Sequence, residues 1–223
     1  MFFGLTEEQE MIVGTVRSFV ENEIYPHENL VESKGSVPTE IAQDIKQKCI
    51  NLGFYACNFP ENIGGAGLNH LDFALVEREL GRGSMALTHF FGRPQNILMA
   101  CKDEQIEKYL LPAVRGDLMD ALAMTEPDAG SDVRGMKCFA KSEGSDWIVN
   151  GTKHFISGAE HADFIIVFIA TGEEQTEKGP KKKITAFLVD RGTPGFVIRD
   201  GYHSVSHKGY KNMILEFDDC LLP

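Results

Sequence analysis

The feature that most constrains this chain is a single change of hydrophobic period near residue 118. Before it, apolar residues recur every three or four positions; after it, they fall in short β-branched and aromatic blocks. Such a chain folds as helices first and then as a sheet built without crossover helices. In the first part, Thr6 with Gln9 reads as a capping box, and Ile12, Val16, Phe19, Val20 and Ile24 share one helical face as far as Pro26. A second helix is expected from Pro38-Thr39 to Gly53, carrying Ile41, Ile45, Cys49 and Leu52 inward. Asn69 is expected to cap a third, through Leu71, Ala74, Leu75 and Leu80 to Gly81. Two more are expected from Ser84 to Cys101, bent before Pro94, and from Asp103 to Arg115, with Pro112 in its last turns.

After residue 120 the strand blocks are Ala121 to Thr125, Met136 to Lys141, Trp147 to Val149, Phe164 to Ala170, Ile184 to Val189 and Asn212 to Phe217. Glu143-Gly144-Ser145, Asn150-Gly151 and Thr193-Pro194-Gly195 punctuate them as turns. The expected fold class is therefore α+β. Residues 1–118 form an N-terminal helical bundle domain, and residues 119–223 form a small antiparallel β-barrel or sandwich domain. The charged stretch from Thr171 to Lys183 reads as a solvated hairpin loop, acidic then basic. A polyphosphate passing over it could use Lys181, Lys182 and Lys183.

Charge narrows the function. Lys+Arg number 22 against 33 Asp+Glu, a formal net charge of -11, which argues against a nucleic-acid partner. No apolar run reaches the ~18 residues of a membrane span, so none is expected, and no export signal is read at the start. Cys49, Cys57, Cys101, Cys138 and Cys220 lack CxxC spacing and are expected as free, mostly buried thiols in a reducing compartment. His154 and His161 have no carboxylate at ligand spacing, so no metal site is expected.

The segment that carries chemistry is Ala123-Met124-Thr125-Glu126-Pro127-Asp128-Ala129-Gly130-Ser131-Asp132. A strand runs into Thr-Glu, Pro127 fixes one backbone angle, and the small residues Ala129 and Gly130 let the chain turn back with successive N–H groups exposed. Such a turn is an anion-binding nest, to which the Ser131 hydroxyl adds a donor, with the Thr125 hydroxyl alongside. Read alone, a Pro-Asp-x-Gly stretch is usually only a turn. A second candidate is Gly151-Thr152-Lys153-His154-Phe155-Ile156-Ser157-Gly158, where an aromatic beside a hydroxyl can lay a ring against a flat ligand. By itself this octapeptide reads more simply, with Phe155 as a core residue of one strand.

Together the two stretches change the reading. MTEPDAGSDVRG (residues 124–135) followed by NGTKHFISG (residues 150–158) resembles the acyl-CoA dehydrogenase family, whose middle-domain signature the first run fits at every fixed position. Phe59-Pro60-Glu61-Asn62-Ile63-Gly64-Gly65-Ala66-Gly67 is similar to the family's PEEYGGxG stretch, and Glu77-Arg78-Glu79-Leu80-Gly81 to its EELGR. Glu104-Gln105 through Tyr109-Leu110-Leu111-Pro112 to Gly116 resembles its EQ…YLP…G segment. Phe217-Asp218-Asp219-Cys220-Leu221-Leu222-Pro223 is similar to its FxDVxVP end of the β domain. The resemblance covers essentially the whole chain.

The resemblance implies FAD as cofactor. The backbone of Leu122, Ala123, Met124 and Thr125 and the Thr125 hydroxyl would face the pyrimidine edge of the flavin. Gly130 and Ser131 would sit at the pyrophosphate, Ser131 also near the phosphopantetheine of the substrate, and Phe155, Ile156 and Ser157 would cover one face and the N5 edge. Most relatives carry Trp where Phe155 stands and Thr where Ser157 stands. Phe keeps a π face and Ser a hydroxyl, so FAD binding is expected to survive, with altered redox tuning or acceptor access. The implied reaction is α,β-dehydrogenation of an acyl-CoA thioester, with hydride passing to flavin N5 and electrons to an electron-transfer flavoprotein. The base that removes the α-proton is expected beyond Pro223, in a C-terminal helical domain of the family, so no catalytic base is assigned in this chain and it is expected to be inactive alone. Glu126 and Asp132 are expected to bond backbone or pair with Arg rather than act as bases, and Lys208-Gly209 reads as structural. A full-length homodimer or homotetramer is implied, in the cytoplasm of a bacterium or the mitochondrial matrix of a eukaryote. Two alternatives stay open: a flavin-dependent oxidase or monooxygenase of the same fold, and a non-enzymatic binding module.

Overall fold

The computed structural model describes residues 4–177 and 179–223, so of the charged hairpin stretch only Lys178 lies outside the described residues. The described chain divides into two compact units, one ending at Leu118 and taking in Val205–Tyr210, the other made of Met119–Ser204 and Lys211–Pro223.

In the helical unit, α1 (Glu7–Phe19) opens on the expected capping box. Thr6 Oγ1 accepts from the Gln9 N–H at 3.2 Å, and Gln9 Oε1 accepts from the Thr6 N–H at 3.1 Å. The helical path does not stop at Pro26. It passes through a π-turn over Val20–Ile24 into α2 (Tyr25–Lys34), whose first turn holds Pro26 where a missing N–H leaves no bond unmade. In α3 (Thr39–Asn51), Ala42, Ile45 and Cys49 point inward, while Leu52, expected inward, falls past the last turn and is exposed. Asn69 caps α4 (His70–Leu80), its Oδ1 accepting from Leu71 N and Asp72 N. Of the two remaining helices, the stretch from Ser84 to Cys101 is α-helical only at α5 (Met85–Thr88), with 3₁₀ turns at His89–Phe91 and Asn96–Ala100 on either side of Pro94. The stretch from Asp103 to Arg115 is helical as expected: Glu104 and Gln105 lead through a π-turn at Ile106–Leu110 into α6 (Leu111–Arg115), which holds Pro112.

Phe91 meets Phe19 edge to face at 5.3 Å, inside a core that also holds Ile24, Ile45, Phe59, Leu80, Leu87 and Leu98. Each such side chain contributes about 1.5–3 kcal/mol by leaving water. Lys208 pairs with Glu32 at 3.1 Å, in keeping with the structural reading of Lys208-Gly209.

The second unit is a seven-stranded sheet: β1 (Asp120–Ala123), β2 (Phe139–Glu143), β3 (Asp146–Ser157), β4 (Phe164–Thr176), β5 (Gly179–Asp190), β6 (Phe196–Tyr202) and β7 (Asn212–Leu222). β5 lies antiparallel along one edge of β4, and β1 and β2 follow one another in parallel along the other. From there β2, β3, β7 and β6 run antiparallel. The fold class is thus as expected, helices followed by a curled sheet, with parallel pairings at β4 as a detail that the alternation pattern does not carry. β6 was not among the expected strands, because Gly195 and Gly201 frame too short an apolar run, Phe196 to Ile198. Along β4 and β5, Glu173 faces Lys182 and Glu174 faces Lys181, so the charge run is a cross-strand ladder on a hairpin.

One face of the sheet closes over Ala121, Ala123, Val149, Ile156, Ile165, Val167, Val189 and Leu215. Trp147 packs edge-on to Phe187 against this core, and Phe196 stacks on Phe217. All five cysteines are free thiols, Cys101 half-buried and the others buried.

Candidate functional site

β1 ends at Ala123, two residues sooner than expected, so Met124 and Thr125 lie past the end of the strand. A tight turn follows, with Pro127 and Asp128 at its corners: Glu126 N–H donates to Ala129 O at 2.9 Å, and Ala129 N–H to Glu126 O at 3.2 Å. Ala129 is buried while Gly130, Ser131 and Asp132 emerge into solvent. Among the described residues, no group accepts the N–H of Met124, Thr125, Gly130 or Ser131, and neither the Thr125 nor the Ser131 hydroxyl has a protein partner. A Cβ placed on Gly130 would meet nothing within 4 Å, and its φ lies outside the left-handed region. Neither backbone conformation nor internal packing therefore calls for glycine at this position, which leaves open space in front of the chain.

Two buried groups hold this segment. Lys153, 0% exposed, donates from Nζ to Met124 O at 3.0 Å and to Glu126 Oε1 at 2.7 Å. The Glu126 carboxylate also accepts from the Lys137 and Cys138 N–H groups, and the His154 N–H donates to Thr125 O at 2.9 Å. The two sequence stretches are therefore bonded to one another, and Glu126 is committed to backbone and to a lysine. The expected bonding of Glu126 to backbone is therefore seen, with a lysine in place of the expected arginine. Asp128 pairs instead with exposed Lys137, whose hydrogen bond and charge hold its carboxyl below the usual range. Burial pushes the Cys138 thiol up to about 11.

β3 changes face within the second stretch. Its register with β7 jumps between Lys153↔Leu215 and Ile156↔Met213, so His154 and Phe155 oppose Ile214 alone. Val149 and Lys153 point inward as alternation requires; past the bulge the inward residue is Ile156, and Phe155 is turned out, 48% exposed. Phe155 has φ +56°, a conformation that costs an aromatic residue about 1–3 kcal/mol. Its ring lies 4.2 Å from that of Tyr202 and 4.3 Å from that of His154. Ser157 is exposed, and its Oγ accepts from Asn212 Nδ2 at 2.9 Å, which leaves the hydroxyl proton to point elsewhere.

Set against the residues singled out from sequence, the structure bonds the start of the first stretch, Met124, Thr125 and Glu126, to Lys153 and His154, next to Phe155 in the second. Leu122 and Ala123 sit in the β1–β4 ladder, with Ala123 wholly buried, so they offer backbone only. The Ile156 side chain is in the core, which corrects any role for it beyond backbone. The reading of Phe155 as a core residue is also corrected, because the bulge breaks the alternation on which it rested. Lys153, Tyr202 and Asn212 were missed. Lys153 carried a signal, a cation at an inward-facing period-2 position; Tyr202 carried none, since its place depends on pairing with β7. A cavity of about 480 Å³ lies elsewhere, in the helical unit, where Glu32 pairs with Lys208 and Glu77 with Arg93. Glu28, which also lines it, accepts from the Ser84 N–H at 2.7 Å, and the cavity shares no residue with the two stretches.

Helices followed by a curled mixed sheet make up the two units of this chain, and the sheet unit carries both the loop of unspent donors and the outward aromatic ring. The chain belongs to the acyl-CoA dehydrogenase family. The model of the family's N-terminal domain matches residues 6–117, and that of its middle domain matches residues 121–220. Benzylmalonyl-CoA dehydrogenase of Aromatoleum aromaticum is 32% identical over 230 residues, covering 100% of this chain and 58% of that protein. The crystal structure of acyl-CoA dehydrogenase from Geobacillus kaustophilus superimposes with TM-score 0.81 at 31% identity, over 100% of this chain and 58% of that one. Glutaryl-CoA dehydrogenase from Mycobacterium smegmatis, solved in complex with FADH2, gives TM-score 0.84 at 29% identity, over 98% of this chain and 54% of that one. The chain spans a little over half the length of the curated relatives it matches. Among the described residues, no helix is long and apolar enough to cross a membrane.

Proposed function

We propose that the surface formed by Met124 to Ser131 and Phe155 to Ser157 binds FAD. On this reading the backbone of Leu122 to Thr125 and the Thr125 hydroxyl meet the pyrimidine edge of the ring. Gly130 and Ser131 meet the pyrophosphate, and Phe155, the Ile156 backbone and the Ser157 hydroxyl flank one face. The observation that carries the reading is the row of N–H and hydroxyl donors without protein partners, held in place by the buried Lys153–Glu126 pair. The vacant space over Gly130 fits the close approach of a diphosphate to backbone.

Bound FAD would supply the oxidant that takes the β-hydrogen of an acyl-CoA thioester as hydride. The fixed donors at Met124 and Thr125 would stabilise the negative charge that reduction brings to the ring edge they face, without reorganising at the moment of transfer. Ser131 would also contact the pantetheine arm. As the family resemblance implies, the carboxylate that takes the α-proton is proposed to come from beyond Pro223, so these residues would form the hydride-accepting half of the site. Transfer of electrons to an electron-transfer flavoprotein, a homo-oligomeric whole protein, and a bacterial cytoplasmic or mitochondrial matrix location complete the reading.

Titration of the 223-residue chain with FAD, followed by flavin absorbance and fluorescence, tests it. Binding is expected, with Gly130→Val melting as the parent does but binding at least roughly ten-fold more weakly, because its side chain enters the space over the backbone. Acyl-CoA turnover by the chain alone is expected to be negligible. The absence of any flavin spectral change at saturating FAD, or unchanged affinity in Gly130→Val, overturns the assignment.

A further inference from the structure

We infer that Tyr202 is a positioning residue for the Phe155 ring, and through it for the planar ligand that this ring covers. The inference rests on the FAD reading above.

β3 and β6 flank β7, and each carries a two-against-one bulge at nearly the same level. His154 and Phe155 oppose Ile214 on one side, and Asp200 and Gly201 oppose Met213 on the other. Within its bulge β6 lies close against its partner, where a Cβ on Gly201 would come within 2.1 Å of Asn212 O, so only glycine permits the approach. Two separate irregularities thus turn two aromatic side chains out on the same side of the sheet. Their rings lie 4.2 Å apart at an interplanar angle of 32°. His154 joins them, its Nδ1 sharing a hydrogen bond with Tyr202 Oη at 3.1 Å.

Both rings remain exposed, Phe155 by 48% and Tyr202 by 41%, so neither belongs to the core. What it fixes is orientation. Phe155 stands in a left-handed backbone conformation on the outside of the sheet, where a ring with no neighbour would sample several χ1 wells. Contact with the tilted Tyr202 ring, itself tethered by His154, selects one of them. Asn212 lies opposite both Ser157 and Tyr202 and bonds Ser157 Oγ, so the same cross-strand row sets the hydroxyl beside the ring.

The test compares the parent chain with Tyr202→Phe and Tyr202→Ala in FAD titrations, recording affinity and the resolution of the long-wavelength flavin band. Tyr202→Ala is expected to bind roughly 3- to 10-fold more weakly, the range of one aromatic pair, and to show an altered band shape. Tyr202→Phe, which keeps the ring and loses only the bond to His154, is expected to stay within about 2-fold of the parent. If Tyr202→Ala does not fold, Tyr202→Leu takes its place. Equal affinity and band shape across parent and variants overturn the positioning role and leave the FAD reading standing. No flavin band in any chain, parent included, overturns the FAD reading and this inference with it.

Discussion

Lys153 Nζ lies 2.7 Å from Glu126 Oε1, with the two side chains 0% and 3% exposed. Paired charges this far from water do little for net stability compared with apolar packing, but removing one partner strands the other. The pair is completed by Met124 O on the lysine side and by the Lys137 and Cys138 N–H groups on the glutamate side. It therefore fixes the exit of the first loop from β1 against the middle of β3. Lys153→Met is expected to destabilise the chain by about 3–5 kcal/mol. Lys153→Met with Glu126→Gln should cost clearly less than the sum of the two single changes. Urea unfolding of the four chains reads this; additive costs would show that the two groups act independently.

Strain at Phe155 has its own signature. At φ +56° a β-branched residue is worse placed than phenylalanine, whereas glycine has no penalty. Phe155→Gly is expected to unfold at a higher denaturant concentration than Phe155→Val, by about 1–2 kcal/mol, the reverse of their order in an ordinary strand. Val at or above Gly in stability contradicts the left-handed assignment.

Glu79 gives the helical unit an acid limit. Hydrogen bonds from Arg17 lower its pKa most; burial opposes this, and hydrogen bonding and charge from Arg78 add to the lowering. A carboxyl whose folded pKa is depressed stabilises the fold above its unfolded pKa of about 4.3, and that stabilisation is lost as pH falls through the lower folded value. Glu79→Gln is expected to be less stable than the parent at pH about 7, with the difference shrinking below pH about 4. Denaturant midpoints across that range measure it; a constant difference would rule out linkage to Glu79.

Thiol reactivity should follow burial. Desolvation pushes Cys57 and Cys138 up to about 11, and Cys49 also upward, while Cys101 is only half-buried. Brief alkylation at neutral pH, mapped by mass spectrometry, should label Cys101 first and the buried thiols only after denaturation. Early labelling of Cys138 would mean that the first loop and β2 open readily.

Much of this was legible in the sequence because the deciding interactions are local. The Thr6 and Asn69 caps need only residues three positions away, and the turn at Pro127 needs only its own four residues. The donors of Met124 to Ser131 could likewise be listed from the order of residues. Less legible were the segments around Pro26, Pro94 and Pro112, where π- and 3₁₀-turns absorb the prolines in ways that depend on packing. The outward turn of Phe155 is not legible in its octapeptide alone for a similar reason, since a period-2 reading cannot see a bulge whose second strand is β7, some sixty positions on.

The sequence by itself determined that helices precede a sheet, and which short stretches carry the donors, because period and turn chemistry are properties of neighbouring residues. Only the tertiary structure decided that Lys153 closes on Glu126, that Phe155 faces out while Ile156 faces in, and that Tyr202 meets Phe155. Those outcomes hang on inter-strand register, and a shift of one residue in register sends every following side chain to the opposite face.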